Sequence, residues 1–346
     1  MKKALMITLI LTTLFFYGCD AGGADTSGSI TKSNQSLVTT AAKTEIHGFF
    51  PFKPNIKYFF EGTGQDSFTV LNEYFNDSFI QQRENRNGKE FAVVYQVADG
   101  KIVKISRTAD YSYRLDLTGR GSANQELVLK EPIKTGTQWI LSDNSTRSIT
   151  GTNIQITTKA GSFLAVEVTT SGKYSLVKDY YVKDMGLVKS VIVGSRTESS
   201  YELSKIEENA GVTQPILFYY PVGNTVQYVN KTVKFLTNDK ASAVIQKAYL
   251  DQPGTAEPVL TDKTVIKSIY FDGQTVTVDL SADFSAVKEK NNEAAILQSL
   301  VNTMGKYYKT NSVIILIDNQ LYESGRFQKG KGEAFQTDYS KTQLLK

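Results

Sequence analysis

From residue 45 to about 206, apolar and polar positions alternate in short runs separated by turn-forming residues, the period-two pattern of pleated strands. Ile56–Phe60, Phe68–Phe75 and Phe91–Val97 are rich in β-branched and aromatic side chains, and Asn87-Gly88 and Asp99-Gly100 punctuate them as hairpin turns. Ile102–Ile105, Leu127–Leu129, Gln138–Leu141, Asn153–Thr158, Phe163–Thr169 and Leu187–Val193 continue the pattern, and no helical period interrupts it. An antiparallel all-β domain, either a sandwich or a half-barrel, is the expectation for 45–206.

Polar residues Glu207-Glu208-Asn209-Ala210-Gly211 mark a boundary, after which two periods mix. Ile216–Tyr220 reads as a strand ending at Pro221. Ala241, Val244, Ile245, Ala248 and Tyr249 stand at helical spacing within Lys240–Tyr249, before Pro253-Gly254. Val265–Phe271 and Thr275–Leu280 flank Asp272-Gly273, which predicts a hairpin with a type I′ turn. Glu293–Lys309 predicts a second helix, with Ala294, Leu297, Val301, Met304 and Tyr308 on one stripe and Ile296, Leu300 and Tyr307 beside it. Val313–Asp318 closes the unit as a buried strand. The fold class is α+β: an all-β antiparallel domain, then a compact βαββαβ domain over 215–335 and a tail over 336–346.

The N-terminus has a different character. Lys2 and Lys3 precede the apolar run Ala4–Tyr17, the layout of a signal peptide over 1–18. Gly18-Cys19 follows and resembles the bacterial lipoprotein processing motif. Phe16 and Tyr17 stand where that family prefers Leu and a small residue. The resemblance implies cleavage before Cys19, its acylation and insertion of the acyl chains into membrane lipid; the alternative is an ordinary signal peptide with a coincidental Cys. Two or more chains on one residue would give stable anchoring. Residues 19–44 are almost devoid of apolar side chains and read as a flexible tether.

Composition narrows the chemistry. The chain of 346 residues holds one Cys, one His and one Trp among 19 Tyr and 18 Phe. One Cys and one His cannot assemble a structural zinc site, and a lone Cys closes no internal disulfide. A net charge of +4 with interspersed signs lacks the clustered basic footprint of a nucleic-acid binder. His47 lies at the edge of the tether, where a solvated terminal role is favoured over a catalytic base. Asp279 and Asp283 resemble an acid/base pair less than strand-end and turn residues that accept from backbone N–H groups. Gly119-Arg120-Gly121 and Lys329-Gly330-Lys331-Gly332 lack the strand–loop–helix setting of a phosphate loop. The aromatics of the β half, Trp139 included, and Tyr307-Tyr308-Lys309 read as packing before they read as ligand platforms. No catalytic residue, cofactor or metal ligand is expected, and Cys19 is the single site residue.

Four stretches of the C-terminal part carry a family resemblance: Leu217–Pro221, Thr277–Phe284, Leu297–Thr303 and Tyr322–Gly325. In that order and spacing they resemble the GerMN domain of sporulation and spore-germination lipoproteins. Asp179-Tyr180-Tyr181 followed by Met185–Lys189 looks like a strand pair of other bacterial envelope lipoproteins. The GerMN resemblance implies an extracytoplasmic, membrane-tethered, non-enzymatic protein, with envelope or spore proteins, or further copies of itself, as partners. The alternative is a ligand-binding lipoprotein whose β half holds a glycan or a lipid, recognisable by a pocket or a row of exposed aromatics.

Overall fold

The computed structural model describes residues 45–121, 125–173 and 175–345. Twelve strands form one antiparallel sheet: β1 (Lys57–Thr63), β2 (Phe68–Phe75), β3 (Phe79–Arg86), β4 (Lys89–Ala98), β5 (Lys101–Ala109), β6 (Glu126–Lys130), β7 (Gln138–Ile140), β8 (Thr146–Thr158), β9 (Gly161–Ser171), β10 (Ser175–Val182), β11 (Gly186–Gly194) and β12 (Glu198–Glu207). Their spatial order is β6-β5-β4-β3-β2-β1-β12-β11-β10-β9-β8-β7, two meanders joined by the β1–β12 pair. Asn87-Gly88 and Asp99-Gly100 turn the hairpins with positive φ at both central residues (49° and 79°, 51° and 67°), the backbone that type I′ requires.

β6 and β7 follow one another in the chain yet lie at opposite ends of that order, so the sheet rolls until its edges meet. Side chains join the edges. Trp139 Nε1 donates to the Leu127 carbonyl at 3.0 Å, and Arg147 donates to the same carbonyl at 2.9 Å and to Glu126 at 2.8 Å. One end of the roll is filled by Ile80, Val97, Ile102, Leu129, Ile149 and Val168, together with Ile46, Phe49 and Phe50. The last three come from a 3-10 turn, Glu45–Phe49, and the residue after it. That turn corrects two expectations, an entirely non-helical β half and a solvated His47. His47 is half-buried and meets the Phe52 ring edge-on at 6.5 Å.

The remaining elements are β13 (Val212–Val222), β14 (Thr225–Phe235), α1 (Ala241–Leu250), β15 (Ile266–Phe271), β16 (Thr275–Leu280), α2 (Glu293–Tyr308), β17 (Ser312–Ile317), β18 (Gln320–Leu321), β19 (Phe335–Gln336) and β20 (Gln343–Leu344). The expected βαββαβ order is incomplete, because β13 pairs along its whole length with β14 and the two lie with β20 in a sheet of their own. β14 escapes the sequence pattern since it buries only Val233 and Phe235. β16 and β17 are parallel, and α2 is the crossover between them. At the β15–β16 hairpin only Gly273 has positive φ (103°), and Asp272 N–H bonds the Thr275 carbonyl, the pattern of a II′ rather than a I′ turn.

α2 is buried on nearly every side. Its apolar face meets the mixed sheet, and its polar face meets β13 and the C-terminal residues. Thr303 accepts from Tyr219 N–H at 2.9 Å, and Asn302 exchanges two bonds with the Asp338 backbone. Ala294, read as part of the apolar stripe, is exposed. Gly305 has no substitute here, because a Cβ would lie 2.2 Å from Thr337 Cγ2 and 2.7 Å from the Thr310 carbonyl.

The outer face of β2–β5 abuts this second part through loop 110–117. Glu73, fully buried, takes Arg83 at 2.8 Å, Gln81 at 2.9 Å and Arg114 at 3.4 Å. Arg114 also donates to the carbonyls of Leu236 (2.6 Å) and Asp239 (3.1 Å), between the rings of Tyr74 and Phe235. From α2, Tyr307 accepts from Arg114 N–H at 2.9 Å and donates to Gln214 at 2.7 Å, while Tyr308 donates to the Arg114 carbonyl. Tyr307 and Tyr308 therefore do the packing expected of them, and Lys309 ends the helix in the left-handed conformation with φ 57°.

Candidate functional site

Strands with inward side chains at every second position leave a space of about 210 Å³ inside the roll, beyond the apolar plug. Tyr58 and Phe60 of β1, Phe68 and Val70 of β2, and Tyr201 of β12 form one wall. Gln82, Glu84 and Arg86 of β3, Lys104 of β5, Glu126 of β6, Arg147 of β8 and Asp179 of β10 bring polar groups to it, with Tyr95 and Tyr181 between them. Phe60 and Phe68 stack at 4.7 Å with Tyr201 edge-on to both, and Arg86 covers the Phe68 ring at 3.6 Å. A surface depression shares Lys104, Glu126 and Arg147 with the cavity and continues outward along Leu141, Asp143 and Ser145 at the β6–β8 seam.

The basic groups inside all meet a carboxylate. Arg86 meets Glu84, Lys104 meets Glu126, and Arg147 meets Glu126 while its Nε donates to Thr170 at 2.7 Å. Burial pushes Glu126 up, but hydrogen bonds from Lys104 and Arg147 outweigh it and hold the carboxyl below its ordinary value. Asp179 goes the other way. Burial raises its carboxyl above the ordinary 3.8, and the Ser190 hydroxyl and the Arg147 charge offset only part of the rise.

The folded protein therefore holds the Asp179 proton more tightly than the unfolded chain does. The stability from this group is full below about pH 3.8 and declines as pH rises through the folded value. Asp179→Asn removes that decline, so the variant should melt at or above the wild-type temperature near pH 7, with the gap closing near pH 4. Thermal melts at the two pH values check this; a variant less stable than wild type at pH 7 contradicts it.

The residues singled out in the sequence are scattered. Cys19, Phe16, Tyr17 and the tether to residue 44 lie outside the described residues. Trp139 is buried at the seam, away from any exposed aromatic row. Asp279 is buried, accepts from Asn319 N–H at 2.9 Å and lies 4.0 Å from Lys267. Ser281 Oγ accepts from Val265 N–H, and Asp283 faces Ser281 at 3.4 Å, so neither side chain caps the 3-10 turn Ala282–Glu289 that follows. Arg120 rests over the Tyr270 ring at 5.4 Å. Among the described residues, no helix is long and apolar enough to cross a membrane.

Sequence reading missed most of the cavity because β3, Phe-Ile-Gln-Gln-Arg-Glu-Asn-Arg, is polar on both faces. One face (Gln81, Arg83) serves the buried joint and the other (Gln82, Glu84, Arg86) lines the cavity. The available signal was its bracketing by Asn76-Asp77-Ser78 and Asn87-Gly88, turn sequences eight residues apart.

Comparison with known proteins adds a family to this geometry. Residues 217–323 match the Germane family, described as sporulation and spore germination, and so span β13 to the residue after Tyr322. The match falls where the GerMN resemblance was read, in the C-terminal third, and associates the chain with sporulation or germination. No curated protein matches. Among solved structures, the chain is similar to a Bacteroides fragilis protein provisionally described as exported, with a YmcC-like fold (13% identity, 46% of this chain and 99% of that one, TM-score 0.28). A Parabacteroides distasonis protein provisionally described as a lipoprotein is similar at 14% identity, over 46% and 98% of the two chains, with TM-score 0.28. Another such lipoprotein, from Clostridium perfringens, matches at 20% identity over 33% and 79%, with TM-score 0.21.

Proposed function

We propose that this protein is a non-enzymatic lipoprotein of the cell envelope, tethered by acylated Cys19, whose Germane part binds protein partners in sporulation or spore germination. The Germane match over 217–323 carries the reading. The N-terminal pattern supports the anchor, since a lipid-modified Cys at the end of an apolar leader needs no spanning helix to hold the chain at a membrane. Partners are envelope or spore proteins, or further copies of this chain, and nucleic acid is not among them.

Cys19→Ala tests the anchor. Wild-type protein should sediment with membranes and shift in mobility on acylation, whereas the variant should lose both properties. Equal membrane association of the two would contradict the tether.

A second reading is favoured by the cavity: the rolled sheet holds a small ligand while the Germane part engages partners. A lined space inside the β half, with convergent polar groups and one carboxyl held above its ordinary value, is the general form of a binding site.

A further inference from the structure

Resting on that second reading, we infer that the cavity of the rolled sheet binds a neutral, hydroxyl-bearing ligand of the size of one sugar ring. Three observations converge on this class. The first is unspent hydrogen-bonding capacity. Tyr58 and Tyr181 are only 7% and 4% exposed, and Tyr95 is half-buried near Glu84 and Glu126. Among the described residues, no protein group hydrogen-bonds the hydroxyls of these three tyrosines, which all line the cavity. Their oxygens open into the space, so three hydroxyls are available there to hydrogen-bond a polar occupant.

The second observation is charge. Three basic side chains (Arg86, Lys104 and Arg147) and three acidic ones (Glu84, Glu126 and Asp179) line the cavity, with Lys104 and Arg147 sharing Glu126. A net anion or cation meets as many like charges as opposite ones there, so its desolvation goes uncompensated. A neutral molecule accepts from the phenols and from Gln82, and donates to Asp179 and Glu84, with every pair intact.

The third is shape. Val70, Val93, Val128, Leu187 and the aromatic rings give the space apolar surface interleaved with the polar groups, Val70 lying across from Glu84 and Val93 from Gln82. A pyranose has the same mixed character, C–H groups on its faces and hydroxyls on its rim. A cavity of roughly 150 Å³ takes up benzene, so about 210 Å³ is room for one ring with its substituents.

Saturation-transfer NMR and calorimetry on the full chain test the assignment, with glucose and N-acetylglucosamine as neutral probes, glucuronate as the charged control and oleate as the lipid probe. A neutral sugar should bind, glucuronate should bind at least 10-fold more weakly than glucose, and Tyr58→Phe with Tyr181→Phe should weaken sugar binding about 10-fold or more. The double variant keeps the ring volumes, and a melting temperature at or above wild type would show that its fold is intact. Unchanged sugar affinity in the variant, or glucuronate binding as tight as glucose, overturns the assignment. Oleate binding without sugar binding overturns the sugar class and leaves the cavity as a ligand site. Binding of none of these probes overturns both readings.

Discussion

Glu73→Ala is expected to lower the unfolding free energy by about 3–5 kcal/mol, the cost of removing one partner from a buried charge network. Glu73 is the only carboxylate within salt-bridge distance of Arg114 among the described residues, and Arg114 has no exposed side-chain surface. Without it, Arg114 retains backbone carbonyls alone, and its charge is stranded between Tyr74 and Phe235. The damage falls at the joint, because the same guanidinium bonds Leu236 and Asp239 of the Germane part. Denaturant titration should show a lower midpoint and a separated early phase in which the two parts come apart. Glu90→Ala is the control: its partner Arg83 keeps Glu73, and Glu90 is a quarter exposed, so about 1 kcal/mol or less is expected. Equal losses for the two variants would contradict the central place given to Glu73.

Arg147→Met should cost about 2–3 kcal/mol, the scale of charge-assisted hydrogen bonds lost from a largely buried group. Met retains much of the apolar stem, so the loss isolates the guanidinium, which joins Thr170 of β9, Leu127 and Glu126. β6 and β7 have no backbone ladder between them, so these bonds and the Trp139 indole hold the seam. Hydrogen exchange should quicken first in β6 and β7, with β1 and β12 at the opposite side of the roll protected as before. Uniform loss of protection across all twelve strands would contradict a seam held by side chains.

Elements with one strong local period were legible in the sequence. β2 spans Phe68–Phe75 as read, and α2 and α1 lie within a residue of their expected bounds. The hairpin turns at residues 87–88 and 99–100 followed from Asn-Gly and Asp-Gly, whose backbone tolerates positive φ. Elements whose pattern answers to tertiary surroundings were not. β3 carries polar residues on both faces because one meets a buried ionic joint and the other a polar cavity. β14 alternates weakly because it is a half-exposed partner of β13, and Ser299, Asn302 and Thr303 look like a solvent face until β13 and the chain end cover them.

The candidate cavity was the least legible feature. Its tyrosines and phenylalanines were visible as strand residues, but which of them share an interior depends on the register of strands far apart in sequence and on the meeting of β6 with β7. Asp179 and Tyr181 drew notice only as part of a strand pair. Asp279 and Asp283, four residues apart in sequence and suggestive there, face a backbone amide and a neighbouring serine instead of a common substrate space. The Germane stretch was legible because its matching segments are contiguous and spaced along one domain.

The central claim, a Germane lipoprotein serving sporulation or germination, is tested most directly by deletion of the coding sequence in the source organism. Heat-resistant spores, or their germination on nutrient addition, should fall well below wild type and return with the wild-type chain. A deletion strain that sporulates and germinates like its parent would contradict the account.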